Sequence, residues 1–205
     1  MPNIQPFEDY SDEYDLWFEQ NREKYGLELQ AIAGFIPAGL HGIEVGVGSG
    51  KFAVPLGVEI GIDPSVRMLD KASERGIQTV QAIAENLPFP PACFDYVLMV
   101  TTICFVDDLH RSFEEARRVL KKDGFILVGF VDGASELGQE YMARKDRSRF
   151  YRSAHFYATD ELVQYLKDAG FGAMAFRQTL LPGAEASLIK EGYGEGSFVV
   201  VRAMR

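Results

Sequence analysis

With 205 residues, 47% of them hydrophobic and 25% charged, the chain has the size and balance of one globular domain built around a covered sheet, and a wholly disordered chain is excluded. A formal net charge of −9 works against an extended phosphate backbone as partner, because that binding rests on clustered Lys and Arg. No apolar run is long enough to span a bilayer, and the acidic opening segment Met1 to Tyr10 lacks the basic and apolar stretches of a leader; we expect a cytoplasmic protein acting on small molecules, with no nucleic acid or membrane partner.

In chain order, Ser11 is placed to cap a helix running to Phe35, with Tyr14, Trp17, Phe18, Leu29, Ile32 and Phe35 as partial apolar faces and Pro37 as its stop. Strand-like runs follow at Leu40 to Val45, Val58 to Ile62, Gln78 to Ile83, Phe94 to Val100, Phe125 to Val131, Ala173 to Gln178 and Ser197 to Arg202. Between them, Asp63-Pro64-Ser65 opens a helix that Gly76 ends, Leu109, Phe113, Ala116 and Leu120 recur at helical spacing, and Thr159 caps a helix carrying Leu162, Val163 and Leu166. The stretch Lys51 to Gly57 is short for a crossover helix. Alternating strands and helices predict a mainly parallel sheet with helices on both faces. The glycine-rich return between Gln178 and Ser197 leaves no room for a crossover, so the last strand should run antiparallel.

The chemistry concentrates in Glu44-Val45-Gly46-Val47-Gly48-Ser49-Gly50, where three alternate glycines follow a buried strand. Such a loop lets the backbone turn tightly and approach a ligand. The dinucleotide fingerprint needs a third glycine where Lys51 stands, which ranks a nicotinamide oxidoreductase low. In an open α/β sheet the residues just beyond successive strands converge on one pocket. Here those are the glycine loop, Asp63 roughly 17 residues beyond Gly46 at the separation expected of a ribose-binding acid, the stretch Ala84 to Phe89, and Val100 to Thr102.

Taken together, Glu44-x-Gly-x-Gly-x-Gly50, Gly61-Ile-Asp-Pro-Ser65 with Met68, Ala84-Glu-Asn-Leu-Pro-Phe89, Phe94-Asp95, Glu115 to Lys121 with Gly124, and Ala169-Gly-Phe171 form an ordered series. It resembles the class I S-adenosylmethionine-dependent methyltransferases of the small-molecule type, from Gly42 to about Phe171. The resemblance implies a Rossmann-like seven-stranded sheet with an antiparallel last strand, one domain over 1–205, an N-terminal helical segment over about 1–38 and a lid-like insertion over about 132–158. It also implies S-adenosyl-L-methionine as cofactor and a small-molecule methyl acceptor. Gly46, Gly48 and Gly50 would line the cofactor, Glu44 would steady the loop, and Asp63 would bond the ribose. Pro64, Ser65 and Met68 would lie near the adenine, with the Ala84 amide and Glu85 beside it. Val100 and Thr101 would flank the methionine portion, and Thr102, beside them near the methyl group, would face the substrate. Ile83 stands where many relatives carry an acid, so one adenine contact should differ.

For the acceptor, Tyr14 and Trp17 are candidates to close over the sulfonium, Tyr151 and Tyr157 to face substrate, and His155 to serve as general base. The basic stretch Arg144 to Arg152 is a candidate anion grip. Each has a plainer reading as well: a tight turn for the glycines, a helix cap for Asp63, a solvated acid at a turn for Glu85, strand ends for Thr101 and Thr102, packing for Tyr14 and Trp17, and a solvated surface for His155 and the basic stretch. Cys93 and Cys104 lack metal or disulfide spacing, and no metal is expected. A non-catalytic cofactor-binding module or partner subunit is the rival to an enzyme. Oligomeric state is left open.

Overall fold

The computed structural model describes residues 2–183 and 188–205. It opens with three helices, α1 (Gln5–Asp9), α2 (Ser11–Gln20) and α3 (Arg22–Ala33), where one helix was expected from Ser11. The break falls at Asn21, whose side-chain amide donates to the Trp17 carbonyl at 2.8 Å, a local bond that competes with helical continuation. Ser11 is the first helical residue rather than a cap, and Tyr10 holds the cap position without a side-chain capping bond.

The chain continues through β1 (Gly42–Val45), α4 (Ala53–Leu56), β2 (Ile60–Asp63), α5 (Val66–Glu74), β3 (Gln78–Gln81), β4 (Phe94–Val100), α6 (Leu109–Val119) and β5 (Leu120–Val131). Then come α7 (Glu136–Arg144), two short 3-10 turns, α8 (Thr159–Asp168), β6 (Gly172–Thr179), β7 (Lys190–Glu191) and β8 (Phe198–Met204). As the short spacing suggested, α4 is a single turn, ended by Gly57 in the left-handed region. Helix α5 is capped by Ser65, whose hydroxyl accepts from the Met68 amide at 3.2 Å. Asp63 and Pro64 therefore stand before the helix rather than in its first turn.

The sheet has eight strands in the order β3-β2-β1-β4-β5-β8-β6-β7. The seven anticipated strands are all present, and the eighth is the two-residue β7 paired to the edge of β6. Strands β3 to β5 pair in parallel, while β8 runs antiparallel to both β5 and β6. Alternate residues of each central strand serve opposite cores. Val97, Met99, Ile126 and Val128 meet Phe113, Leu162 and Leu166 on one face. Tyr96, Leu98, Phe125 and Leu127 meet Phe18, Ile32, Leu69 and Ala72 on the other.

The expected Thr159 cap is displaced by one residue, since Ala158 holds the cap position. The Thr159 hydroxyl donates instead to Asp132 Oδ2 at 2.7 Å, and the Ala134 amide to Asp132 Oδ1 at 2.8 Å. Beside them the Gly133 amide donates to the Tyr157 carbonyl at 2.8 Å. The segment 133–158 is thus joined to the sheet through a closed neck, with Asp132 only 4% exposed at its base. Among the described residues, no helix is long and apolar enough to cross a membrane.

Candidate active site

Strand order reverses between β2 and β4 on either side of β1, the place where open α/β sheets leave a crevice beyond their strand ends. Here a cleft encloses about 660 Å³ of space partly open to solvent, with Gly46, Gly48, Asp63, Ala84 and Thr101 among its walls. The glycine loop is held on β2 by the Gly46 and Val47 amides, both donating to the Ile62 carbonyl at 2.8 Å. Gly46 has φ +75°, and a Cβ there would fall 2.4 Å from the Thr102 side chain. Only glycine is compatible with that turn and that close approach.

Asp63, on the cleft wall, accepts from the Gly48 amide at 2.9 Å with one oxygen and from the Ser65 amide at 2.9 Å with the other. It clamps the glycine loop to the start of α5. Burial raises its pKa to about 6, although the two amides pull the other way. Glu44, 1% exposed, lies behind the loop and outside the cleft lining. Its pKa is pushed well above the carboxylate range by burial and then by the nearby charge of Asp63, while the Ala53 amide opposes the shift. Its Oε2 is buried without a hydrogen-bond partner. Asp63 and the glycines on the cleft wall fit a ligand that brings hydroxyls to the carboxyl, and a positive charge beside it would favour its ionised form.

Pro64, Met68, Ile83, Ala84, Glu85, Val100, Thr101 and Thr102 all line the cleft. Ile83 adds an apolar wall where an acid was missing from the sequence. Glu85 accepts from the Asp107 and Asp108 amides at 2.8 and 3.1 Å through Oε1, leaving Oε2 buried and unpartnered. Two expected lining residues stand elsewhere. Ser65 is fully buried as a helix cap, and a Cβ on Gly50 would meet Ala72 and Ile77 of the packed interior. Both shape the cleft from behind. Thr102, expected near the acceptor, directs its hydroxyl to the Val100 carbonyl at 3.0 Å.

A second cavity of about 1020 Å³ adjoins the first, and Phe7, Tyr14, Thr101 and Phe105 line both. Thr101 sits at the junction with φ +50°, an uncommon conformation for a β-branched residue and one concentrated at functional sites. Tyr14, Trp17 and Tyr151 line this chamber. Tyr14 and Tyr151 are driven above the ordinary phenol pKa chiefly by burial, so both remain neutral.

Sequence reasoning missed Glu28, which lines the chamber from α3 and is 5% exposed. Burial raises its pKa to about 8, against the pull of Lys24. The signal was an acid on the same helical stripe as Tyr25 and Ile32, at spacings of three and four. Helix α1 was missed too, and its Phe7 packs edge-on against Phe105 with ring centroids 5.2 Å apart.

His155 is brought to neither cavity. It borders a smaller hollow with Cys104 and Tyr157, its ring is 64% exposed, and Nε2 lies 3.9 Å from Glu161. Tyr157 shares that hollow, which meets the chamber at Thr101, Val131 and Tyr151. The basic stretch faces outward: Arg144 pairs with Glu140 at 2.6 Å and Arg149 with Glu13 at 2.5 Å. Both cysteines are free.

A Rossmann-like sheet with a glycine loop and an acid at its switch point defines a nucleotide-cofactor enzyme class, and comparison with known proteins narrows it. The family described as "Methyltransferase domain" matches residues 43–128. A crystal structure from Thermotoga maritima, described as an "SAM-dependent methyltransferase, possible histamine N-methyltransferase", superposes with a TM-score of 0.94 at 46% identity, covering 98% of this chain and 99% of that one. An uncharacterised protein of Methanocaldococcus jannaschii is 40% identical over 200 residues, 96% of this chain and 97% of its own. An uncharacterised protein of Mycobacterium tuberculosis is 38% identical over 171 residues, 82% of this chain and 60% of its own length. The chain belongs to the class I S-adenosylmethionine-dependent methyltransferases, enzymes that use S-adenosyl-L-methionine as methyl donor.

Proposed function

We propose that this methyltransferase acts on a small-molecule acceptor, held in the aromatic chamber and methylated across the junction at Thr101. The observation that carries the reading is the pair of cavities sharing Phe7, Tyr14, Thr101 and Phe105. An acceptor in one would stand against a donor in the other, and alignment with exclusion of water is the main demand of this reaction. The cofactor when bound supplies an activated methyl group on a sulfonium.

On this reading Gly46 and Gly48 admit the methionine portion, and Asp63 offers its remaining lone pairs to the ribose hydroxyls. Pro64, Met68, Ile83 and Ala84 enclose the adenine. Glu44 and Gly50 hold the loop from behind, and Tyr14 covers Gly48, its hydroxyl 3.5 Å from where a Cβ would stand. The description of the Thermotoga maritima relative supports a small amine among the acceptors.

Titration calorimetry with S-adenosylhomocysteine, followed by a labelled-methyl screen over amines, phenols, carboxylates and thiols, tests the proposal. A single labelled small product is expected. Label appearing only in protein or nucleic acid would overturn the small-molecule reading.

A further inference from the structure

Glu28 has no part in the cofactor cleft, yet it is the most deeply buried charged group of the chamber, 5% exposed among Tyr14, Trp17, Tyr141 and Tyr151. Among the described residues, no amide or side chain donates a hydrogen bond to its carboxyl. A carboxyl held away from bulk water is costly to ionise, and a ligand cation that pairs with it offsets that cost. Around it stand mainly aromatic rings, which attract a cation, with Lys24 the one basic side chain on the chamber wall. Glu28 offers a carboxylate acceptor no positive charge.

We propose that the chamber receives a compact amine with an apolar or aromatic body, and that Glu28 binds its nitrogen and accepts its proton. The inference rests on the small-molecule reading above and names its substrate class. As the ammonium enters, Glu28 gives up its own proton to solvent, and the resulting carboxylate then takes one proton from the ammonium nitrogen. The freed lone pair then forms the N–C bond as the S–C bond breaks, and the electron pair of that bond stays on sulfur. The methylated nitrogen carries the positive charge away, and the Glu28 proton passes to solvent.

The charged and titratable groups facing Glu28 are Tyr14 from α2, Tyr141 from α7, Tyr151 from the turn that follows it and Lys24 one helical turn earlier, with Glu13 on the rim. Burial keeps the three phenols neutral, and Glu13 is paired with Arg149. Glu28 is thus the group positioned to exchange a proton with the ligand. With its pKa near 8 in the free protein, it holds a proton at pH 7 and releases it when an ammonium ion enters.

The test titrates 2-phenylethylamine, histamine, 2-phenylethanol and 3-phenylpropanoate into the enzyme loaded with S-adenosylhomocysteine, in two buffers of different ionisation enthalpy at pH 7. An amine should bind with release of roughly one proton, and labelled methyl should appear on nitrogen. Glu28→Gln should abolish the proton release and lower kcat/KM for the amine by about 100-fold, with S-adenosylhomocysteine affinity within about two-fold of wild type. Preference for the alcohol or the acid, amine binding without proton release, or amine affinity unchanged in Glu28→Gln each overturns the proposal. The wild-type proton count decides even if the variant fails to fold. Failure of S-adenosylhomocysteine to bind would instead remove the cofactor reading beneath it.

Discussion

The cleft beside the glycine loop takes most of its walls from the ends of strands β1, β2, β3 and β4, closed over by the N-terminal segment and Tyr14, whereas the aromatic chamber takes most of its walls from α1, α2, α3, the 133–158 segment and Leu180 beyond β6, with Thr101 and Val131 at its floor. In the first, backbone amides, glycine conformations and two buried acids do the shaping, and the sheet register fixes their positions. In the second, side chains from distant parts of the chain meet by packing alone. On the proposed reading, the difference separates a fixed donor site from an adjustable acceptor site, joined at the strained backbone of Thr101. Substitutions in the cleft should therefore act on the cofactor and the fold together, and those in the chamber on the acceptor alone.

The sharpest test of the rigid side is Gly46→Ala. A left-handed φ of +75° and a contact of 2.4 Å to Thr102 should together cost about 3–4 kcal/mol in chemical denaturation, partly recovered by adding Thr102→Ala. Next comes Asp63→Ala, which removes the clamp between the Gly48 and Ser65 amides and the proposed ribose contact. Calorimetry should show S-adenosylhomocysteine binding weakened by about 2–3 kcal/mol, roughly 30- to 150-fold, with the circular dichroism spectrum retained; unchanged affinity would remove the ribose assignment.

On the adjustable side, Glu28 makes a pH-dependent contribution in the ligand-free protein. Its folded pKa of about 8 lies above that of the unfolded chain, so between roughly pH 5 and 8 the unfolded state has released a proton that the folded state retains, and stability falls as pH rises. Glu28→Gln should lack this loss and gain on the order of 2 kcal/mol over wild type at pH 8 relative to pH 5. Equal pH profiles would mean that Glu28 is not buried in solution. The smallest effect is assigned to His155→Ala, where stability should stay within about 0.5 kcal/mol and methyl-transfer rate within about two-fold. A large loss of rate would bring the 133–158 segment into a different arrangement from the one described.

The same contrast governs how much could be read from residues alone. The seven principal strands, the antiparallel last one and the loop at Gly46 to Gly50 were legible because glycine spacing, apolar runs and breakers are local signals. Asp63 was legible as a strand-end acid, but its grip on the Gly48 amide required the loop to be folded against β2. The split at Asn21 went unseen because a side-chain bond to Trp17 decided it, not a break in the apolar pattern. Glu28 and Phe7 were hidden for a different reason. Their meaning comes from partners more than 70 residues away, such as Phe105 and Tyr141, and no local spacing encodes that encounter. His155 shows the converse: a residue type suited to proton transfer, in a plausible stretch, whose ring the fold turns to solvent.

The neck formed by Asp132, Gly133, Tyr157 and Thr159 has a consequence for how such an enzyme diversifies. Because the bonds closing it are made at the base, the 26 residues from Gly133 to Ala158 behave as a cassette whose entry and exit points are already side by side. Exchanging that cassette between relatives, with both ends of the neck preserved, leaves every sheet pairing and the glycine loop untouched while replacing Tyr141, Phe150 and Tyr151 at once. On the proposed reading of the chamber, a lineage can in this way acquire a new acceptor through one recombination event and keep its methyl donor unchanged.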